Sequence, residues 1–192
     1  MSINIREWAR TSFGSQRIQG DEARYVPDDL LSEMLEMAPE AFRVHDAVLE
    51  AIVVRCPDGS RHQPVQARLS VEEGLLGDRW VTGKAHPGDQ VSMMNVEVAA
   101  SIANGQSVAL FGDNLFTSLD IREAALPVGA RVRIGEALLE VSAEPHMPCS
   151  LFRSRFGPAA FKRASKEPRL RGIYLTVIES GEIALGDSVM KA

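Results

Sequence analysis

With only two cysteines, Cys56 and Cys149, in 192 residues, the chain has no disulfide framework and suits a reducing compartment. No CxxC, HxH or HxxxH pair occurs. His45, His62, His86 and His146 are scattered, so a tetrahedral zinc site is not expected. A dinucleotide fingerprint, a P-loop and a nucleophile elbow are all missing. No apolar run approaches the roughly 18 residues of a membrane helix. The opening "MSINIREWARTSFGS" lacks the apolar stretch of a signal peptide. These absences predict a cytoplasmic protein with no membrane partner. A net charge of −5 speaks against a general nucleic-acid binder. Neither an internal repeat nor a low-complexity segment is present.

What remains is an ordinary globular composition, 45% hydrophobic and 24% charged, with length for one compact domain and an extension. The charge is uneven. Residues 1–50 carry ten acids against five bases, whereas from Cys149 to Arg171 seven bases face the single acid Glu167. A solvated helix face and a pocket for a small anion, most naturally a phosphate, both account for that basic run.

Hydrophobic spacing divides the chain. "PDDLLSEMLEMAPEAF" repeats Leu30, Leu31, Met34, Leu35 and Ala38 at helical intervals, with acids in front and Pro39 at the end. This predicts a helical N-terminal extension over 1–45 whose methionines fill core space. From Ala47 onward, short strand-like runs alternate with turns. "AVLEAIVVR", "QPVQARLSV" and "QVSMM" read as strands, and "NVEVAASIANG" as a helix capped by Asn95. "ARVRIGEALLEV" is a hairpin turning at Gly135-Glu136. "GPAAFKRAS" opens a short helix with Pro158 in its first turn, and two strands around Ser180-Gly181 close the chain. The expectation is a β-rich α+β fold: a barrel over 46–192 with peripheral helices.

Cys149 heads the chemistry. It lies in "EPHMPCS", bracketed by prolines that exclude an ordinary strand. Thiols act as nucleophiles or metal ligands only as thiolates, and cations favour that form. His146, Arg153 and Arg155 are near in sequence. Free cysteine is also among the most buried and inert residue types, so the residues leave both readings open. Cys56, before a Pro-Asp-Gly turn, reads as packing. In "LFGDNLFTSLDI", Gly112, Asp113 and Asn114 form either a connecting turn or a ligand-touching nest. Asp78-Arg79 in "GLLGDRW" is either a surface pair or a ligand contact.

In order, "GLLGDRW", "QVSMMNVEVA", "FGDNL", "LPVGARVRIGEALLEV", "PHMPC" and "RGIYLTVIESGEIALGDSV" resemble the MOSC domain, over about three-quarters of the chain from Val48 to Val189. That domain forms the C-terminal part of molybdenum-cofactor sulfurases and occurs in small stand-alone bacterial proteins. The resemblance implies a β-barrel with peripheral helices that binds molybdenum cofactor, a phosphate-bearing pterin, or a related anionic ligand. It implies that Cys149 carries or transfers sulfur, or ligates molybdenum. On this basis Cys149 and His146 are the expected catalytic residues. Arg153, Arg155 and Arg171 are expected at the phosphate end, and Asn114, Asp78 and Arg79 at the pterin end. Asn114 matches the Asn of the family's "GENL" motif, with Asp113 in place of Glu. His146 stands where the family often has arginine, so a cation there depends on pH.

The pyridoxal-phosphate domain of the sulfurases has no counterpart here, and pyridoxal phosphate is not expected. The extension is too short and too helical to replace the N-terminal β region of amidoxime-reducing relatives. Sulfur transfer and molybdenum-dependent reduction of N-hydroxylated compounds are the implied activities, with a sulfur-donor or electron-donor protein as partner. A non-enzymatic cofactor carrier or scaffold is the alternative. A Cys–His acyl-transfer enzyme is a third reading, weakened by the lack of an evident orienting acid.

Overall fold

A computed structural model describes residues 4–11, 19–83, 86–167 and 169–192. Its helices are α1 (Ile5–Arg10), α2 (Asp28–Met37), α3 (Val96–Ala103) and α4 (Ser150–Lys166). Its strands are β1 (Leu49–Ile52), β2 (Val54–Arg55), β3 (Arg61–His62), β4 (Gln66–Ser70), β5 (Gly74–Leu75), β6 (Val91–Asn95), β7 (Leu115–Thr117), β8 (Arg131–Ile134), β9 (Ala137–Val141), β10 (Ile173–Glu179), β11 (Gly181–Ala184) and β12 (Val189–Lys191).

Seven strands form one sheet in the order β1-β7-β6-β10-β9-β8-β12. Only the β6–β7 pair is parallel, as the helical crossover α3 between them requires. The sheet's two edges meet. Leu49 N–H donates to Asp187 O at 2.9 Å, Gly186 N–H to Leu49 O at 2.8 Å, and Val189 N–H to Ala47 O at 2.8 Å. The curled sheet therefore has almost no open edge, and β-rich closure with peripheral helices is the observed fold. A smaller sheet, β11-β4-β5, and the β2–β3 hairpin complete it.

Period-2 alternation sorts the apolar side chains into two cores. Leu49, Ile52, Met93 and Leu115 fill the barrel with Leu69, Val132, Ile134 and Leu175. Their neighbours Ala51, Val53, Met94 and Phe116 point the other way, into a second core beneath the helices. There they meet Leu31 and Leu35 of α2, Ile102 of α3, and Phe152 and Phe156 of α4. Because helices cover this face, β6 is buried at every position instead of alternating.

The expected N-terminal helix forms over Asp28–Met37, and Leu31 and Leu35 are its buried residues. Leu30 and Met37 are exposed, so the apolar face is narrower than the spacing suggested, and only Met34 of its methionines packs on the core. Sequence showed no period in residues 1–26, yet α1 forms there. It is held by Ala9, Ile5 and Trp8 packing on the second core and by Trp8 Nε1 donating to Gln106 O at 2.8 Å, and Arg6 Nε adds a contact at 3.2 Å to Oε1 of Glu50, a buried carboxylate on β1.

The short helix expected after Gly157 is the second half of a longer one. Helix α4 starts at Ser150 and is kinked at Gly157, where φ is 86°. Pro158 follows the kink, so its missing N–H interrupts a helix already broken there. A Cβ on Gly157 would lie 2.7 Å from the Tyr25 ring. Tyr25 in turn donates its hydroxyl to Ser154 O at 2.7 Å. The N-terminal half of α4 is thus aimed by this kink and clamped by a residue of the N-terminal segment. At the chain's end, three strands follow α4 instead of the two expected.

Gly157→Ala is expected to lose about 2–4 kcal/mol, since left-handed strain adds to overpacking against Tyr25. Urea denaturation checks the value; a change under 1 kcal/mol would mean that the kink aims nothing.

Candidate functional site

The kinked helix points its N-terminus at a group of arginines. Cys149 occupies the N-cap of α4 in extended conformation and makes no side-chain cap. It is exposed and within electrostatic reach of Arg155, six residues further on.

Five guanidiniums gather around the turn before β7. Arg55 and Arg61 arrive on the β2–β3 hairpin, where they face each other directly across the strands. Like charges in that arrangement repel, so the hairpin places them together at a cost. Arg79 comes from the loop after β5, its N–H donating to Arg55 O at 2.7 Å. Arg155 comes from α4 and Arg171 from the turn before β10. The floor is Gly112, with φ 74°. A Cβ there would lie 3.9 Å from both Arg155 Nη1 and Arg61 Nη2, so glycine leaves room for a ligand between two guanidiniums.

Two buried carboxylates fix part of this cluster. Asp78 grips Arg55: Oδ1 accepts from Nη2 at 2.8 Å, and Oδ2 accepts from Nε and from the backbone N–H, both at 2.9 Å. Asn114 Nδ2 donates to Asp78 Oδ2 at 2.8 Å and to Val53 O at 3.2 Å, while its Oδ1 accepts from Ser92 N–H and Oγ–H at 3.1 Å. Asp113 pairs with Arg171, which also donates to Phe111 O at 3.0 Å and lies 5.1 Å from the Phe152 ring centre.

Among the described residues, Asp78 and Asp113 stand against these five guanidiniums, an excess of three positive charges. The consequence shows in Arg61, whose pKa is brought down to about 10 by burial and then by Arg79, Arg155 and Arg55. Arg155 is lowered by burial too, with Arg79 and Arg171 adding repulsion. Burial also works against the charge of Arg55, but Asp78 overrides it and raises its pKa. Asp78 is correspondingly held below the ordinary carboxylate value, its desolvation outweighed by Arg55. Arg61 Nε and Arg171 Nε are buried with no acceptor among the described residues.

The expected site residues divide. Cys149, Arg155, Arg79 and Arg171 come together. Arg153 does not: it is exposed and lies 5.9 Å from the Phe161 ring centre, on another side of α4. Asp78 and Asn114 lie at the site, but their polar atoms are occupied by protein partners, so they position Arg55 and the Gly112 turn. His146 is buried, with its ring 4.1 Å from that of Tyr174. Its pKa is lowered well below 6.5, by burial first and then by Arg171 and Arg55. The imidazole is therefore neutral, and Arg171 supplies the buried cation instead. Among the described residues no hydrogen bond joins His146 to Cys149.

Arg55 and Arg61 escaped the sequence reading. Their signal was "RCPDGSR", a tight turn that brackets two arginines into cross-strand register. Cys56, inside it, packs against the barrel core as expected.

Replacing Asp78 with Asn leaves Arg55 buried without its counter-charge, and should cost about 3–5 kcal/mol in urea denaturation. The depressed pKa of Asp78 makes its contribution fully present above about pH 4 and lost as pH falls through the folded-state value. Wild type should therefore lose stability below about pH 4 more steeply than Asp78→Asn; parallel pH profiles would refute this assignment.

The family model described as "MOSC domain" matches residues 84–190. No curated protein matches the chain. Among solved structures, YuaD from Bacillus subtilis superposes with a TM-score of 0.57 at 20% identity, over 74% of this chain and 93% of that one. YiiM from Escherichia coli gives 0.54 at 22% identity, over 76% and 69%. A hypothetical protein gives 0.54 at 23% identity over 75% of this chain, which spans 66% of that protein's length. These likenesses show a shared fold, and β1, outside the matched residues, is hydrogen-bonded into the same sheet through β7. The match over more than half its length places this chain in the MOSC domain family.

Proposed function

We propose that the chain binds molybdenum cofactor, or a related phosphate-bearing anion, in the arginine recess beside Cys149. One observation carries this reading. Five guanidiniums converge on Gly112 against two carboxylates, with buried donors left unsatisfied next to an exposed thiol. Such an arrangement is electrostatically costly when empty and favourable when it receives a multiply charged anion.

The donor set fits the group. Arg61, Arg155 and Arg79 would hold the phosphate, and arginine's planar fork suits phosphate oxygens better than lysine would. Arg171 and Arg55, pinned by Asp113 and Asp78, would set the field at the pterin side. Cys149 offers a soft sulfur ligand at the mouth. When bound, the cofactor would supply a redox-active metal that also accepts sulfur. The chain's own part is to hold the anion, to shape the floor at Gly112 and to present the thiol, either as a sulfur-carrying persulfide or as a metal ligand. Reduction of N-hydroxylated compounds and sulfur transfer are the corresponding activities, and a carrier or scaffold role is the rival.

The acyl-transfer reading gains one point and loses a larger one. Asp113 Oδ1 lies 3.5 Å from His146 Nδ1, so an orienting acid does exist. The link from His146 to Cys149 that such a triad needs is not made.

Protein freshly isolated from a cofactor-replete host should contain molybdenum and pterin. Arg61→Ala or Arg155→Ala should lower pterin retention by about tenfold to a hundredfold, the effect of losing one charged hydrogen bond. If wild type and Cys149→Ser both lack metal and pterin, the cofactor reading fails. Reductase activity toward a hydroxylated base that vanishes in Cys149→Ala would instead eliminate the carrier.

A further inference from the structure

Behind the arginine recess lies a pair of polar atoms that the binding reading leaves unused. His146 Nδ1 and Asp113 Oδ1 are both buried, both lack a hydrogen-bond partner, and face each other at 3.5 Å. The other Asp113 oxygen is taken by Arg171, and the His146 ring is fixed against Tyr174. The gap is slightly too long for a good hydrogen bond, and the other group acting on Asp113 from this side is the Ser92 hydroxyl. The neutral imidazole satisfies both atoms with its own proton on Nδ1, and a second proton on the ring would turn the contact into a charge-assisted pair with the carboxylate. His146 also lines a cavity of about 310 Å³, together with Glu144, Lys166, Glu167 and Arg169. The cavity is partly open to solvent, so water can reach the imidazole side of the pair without passing the arginines.

We propose that His146 and Asp113 form a proton-holding couple that takes up a proton when an anion occupies the arginine recess. This rests on the anion-binding reading above and deepens it.

The physical reason is the shared field. The cations that would face a bound anion also act on the couple. Arg171 and Arg55 oppose a proton on His146, and both pull against the burial that raises the pKa of Asp113. An anion in the recess offsets those positive charges, and the opposition to a proton on the couple falls. Tyr174, from β10, faces the couple as a neutral group, its pKa raised by burial and by Asp113. On the cavity side the charges are mixed, with Arg169 paired to Glu123. Ligand binding and proton uptake are then thermodynamically linked: the anion binds more tightly as pH falls, and the occupied site holds a proton it lacked when empty.

Sulfate is a suitable probe, because it does not titrate near neutral pH and any proton taken up must come from the protein. Calorimetric titration of the full chain between pH 5 and 7.5, in buffers of different ionisation enthalpy, counts the protons. Wild type should take up a fraction of a proton approaching one. Its affinity for sulfate should rise as pH falls, by at most tenfold per pH unit. His146→Gln and Asp113→Asn should bind sulfate with little uptake and a flat profile. In wild type the ring-nitrogen shifts of His146 should move toward the protonated position when sulfate is added, a readout that needs no variant. Sulfate binding with no proton uptake, or uptake unchanged in both variants, overturns the couple and leaves the anion site standing. Failure of sulfate to bind at all overturns the anion site, and the couple with it.

Discussion

The carboxylate of Asp78 is the point on which the site depends. It accepts the backbone N–H of Arg55 and Trp80, the guanidinium of Arg55 and the amide of Asn114. Those groups belong to the β2–β3 hairpin, the loop after β5 and the turn before β7, so one buried anion ties three segments. Asn114 extends the tie to Ser92 on β6. A buried charge is tolerated only when fully paired and hydrogen-bonded, and Asp78 meets that condition through groups distant in sequence.

Around that tie the protein accumulates positive charge it does not neutralise. Arg61 meets three other arginines and has a pKa brought down to about 10. Folding alone gives no reason to assemble such a cluster, because repulsion and desolvation both act against it. The barrel and helix cores contribute the stability that holds it in place. In this respect the molecule follows the usual division of labour: rigid sheets and packed helices position loops that carry the costly groups.

The kink at Gly157 connects the two halves of this arrangement. After it the helix runs along the second core through Ala160 and Ala164, while the half before it carries Cys149 and Arg155 together with Phe152 and Phe156. Tyr25 and Gly20, from the N-terminal segment, pack directly on this helix; a Cβ on Gly20 would fall 2.4 Å from Arg155 Cα. The N-terminal segment thus braces the helix that carries Cys149 and Arg155, as well as covering apolar surface.

Local pattern by itself determined the strand-rich character, the 131–141 hairpin, the Asn95-capped helix and the prominence of Cys149, because alternation, caps and turns act over a few residues. It could also show an excess of basic residues after Cys149. Tertiary structure decided which of those charges meet. Arg153 and Arg155 are two residues apart, yet the helix turns one toward Phe161 and the other toward Gly112. Arg55 and Arg61 lie some 90 residues from Cys149 and join it only through sheet closure. His146 looked like a conditional cation beside a thiol; burial against Tyr174, next to Arg171, makes it a neutral partner of Asp113. Burial and long-range pairing set the energy of each charge, and neither can be read from the neighbours a residue has along the chain.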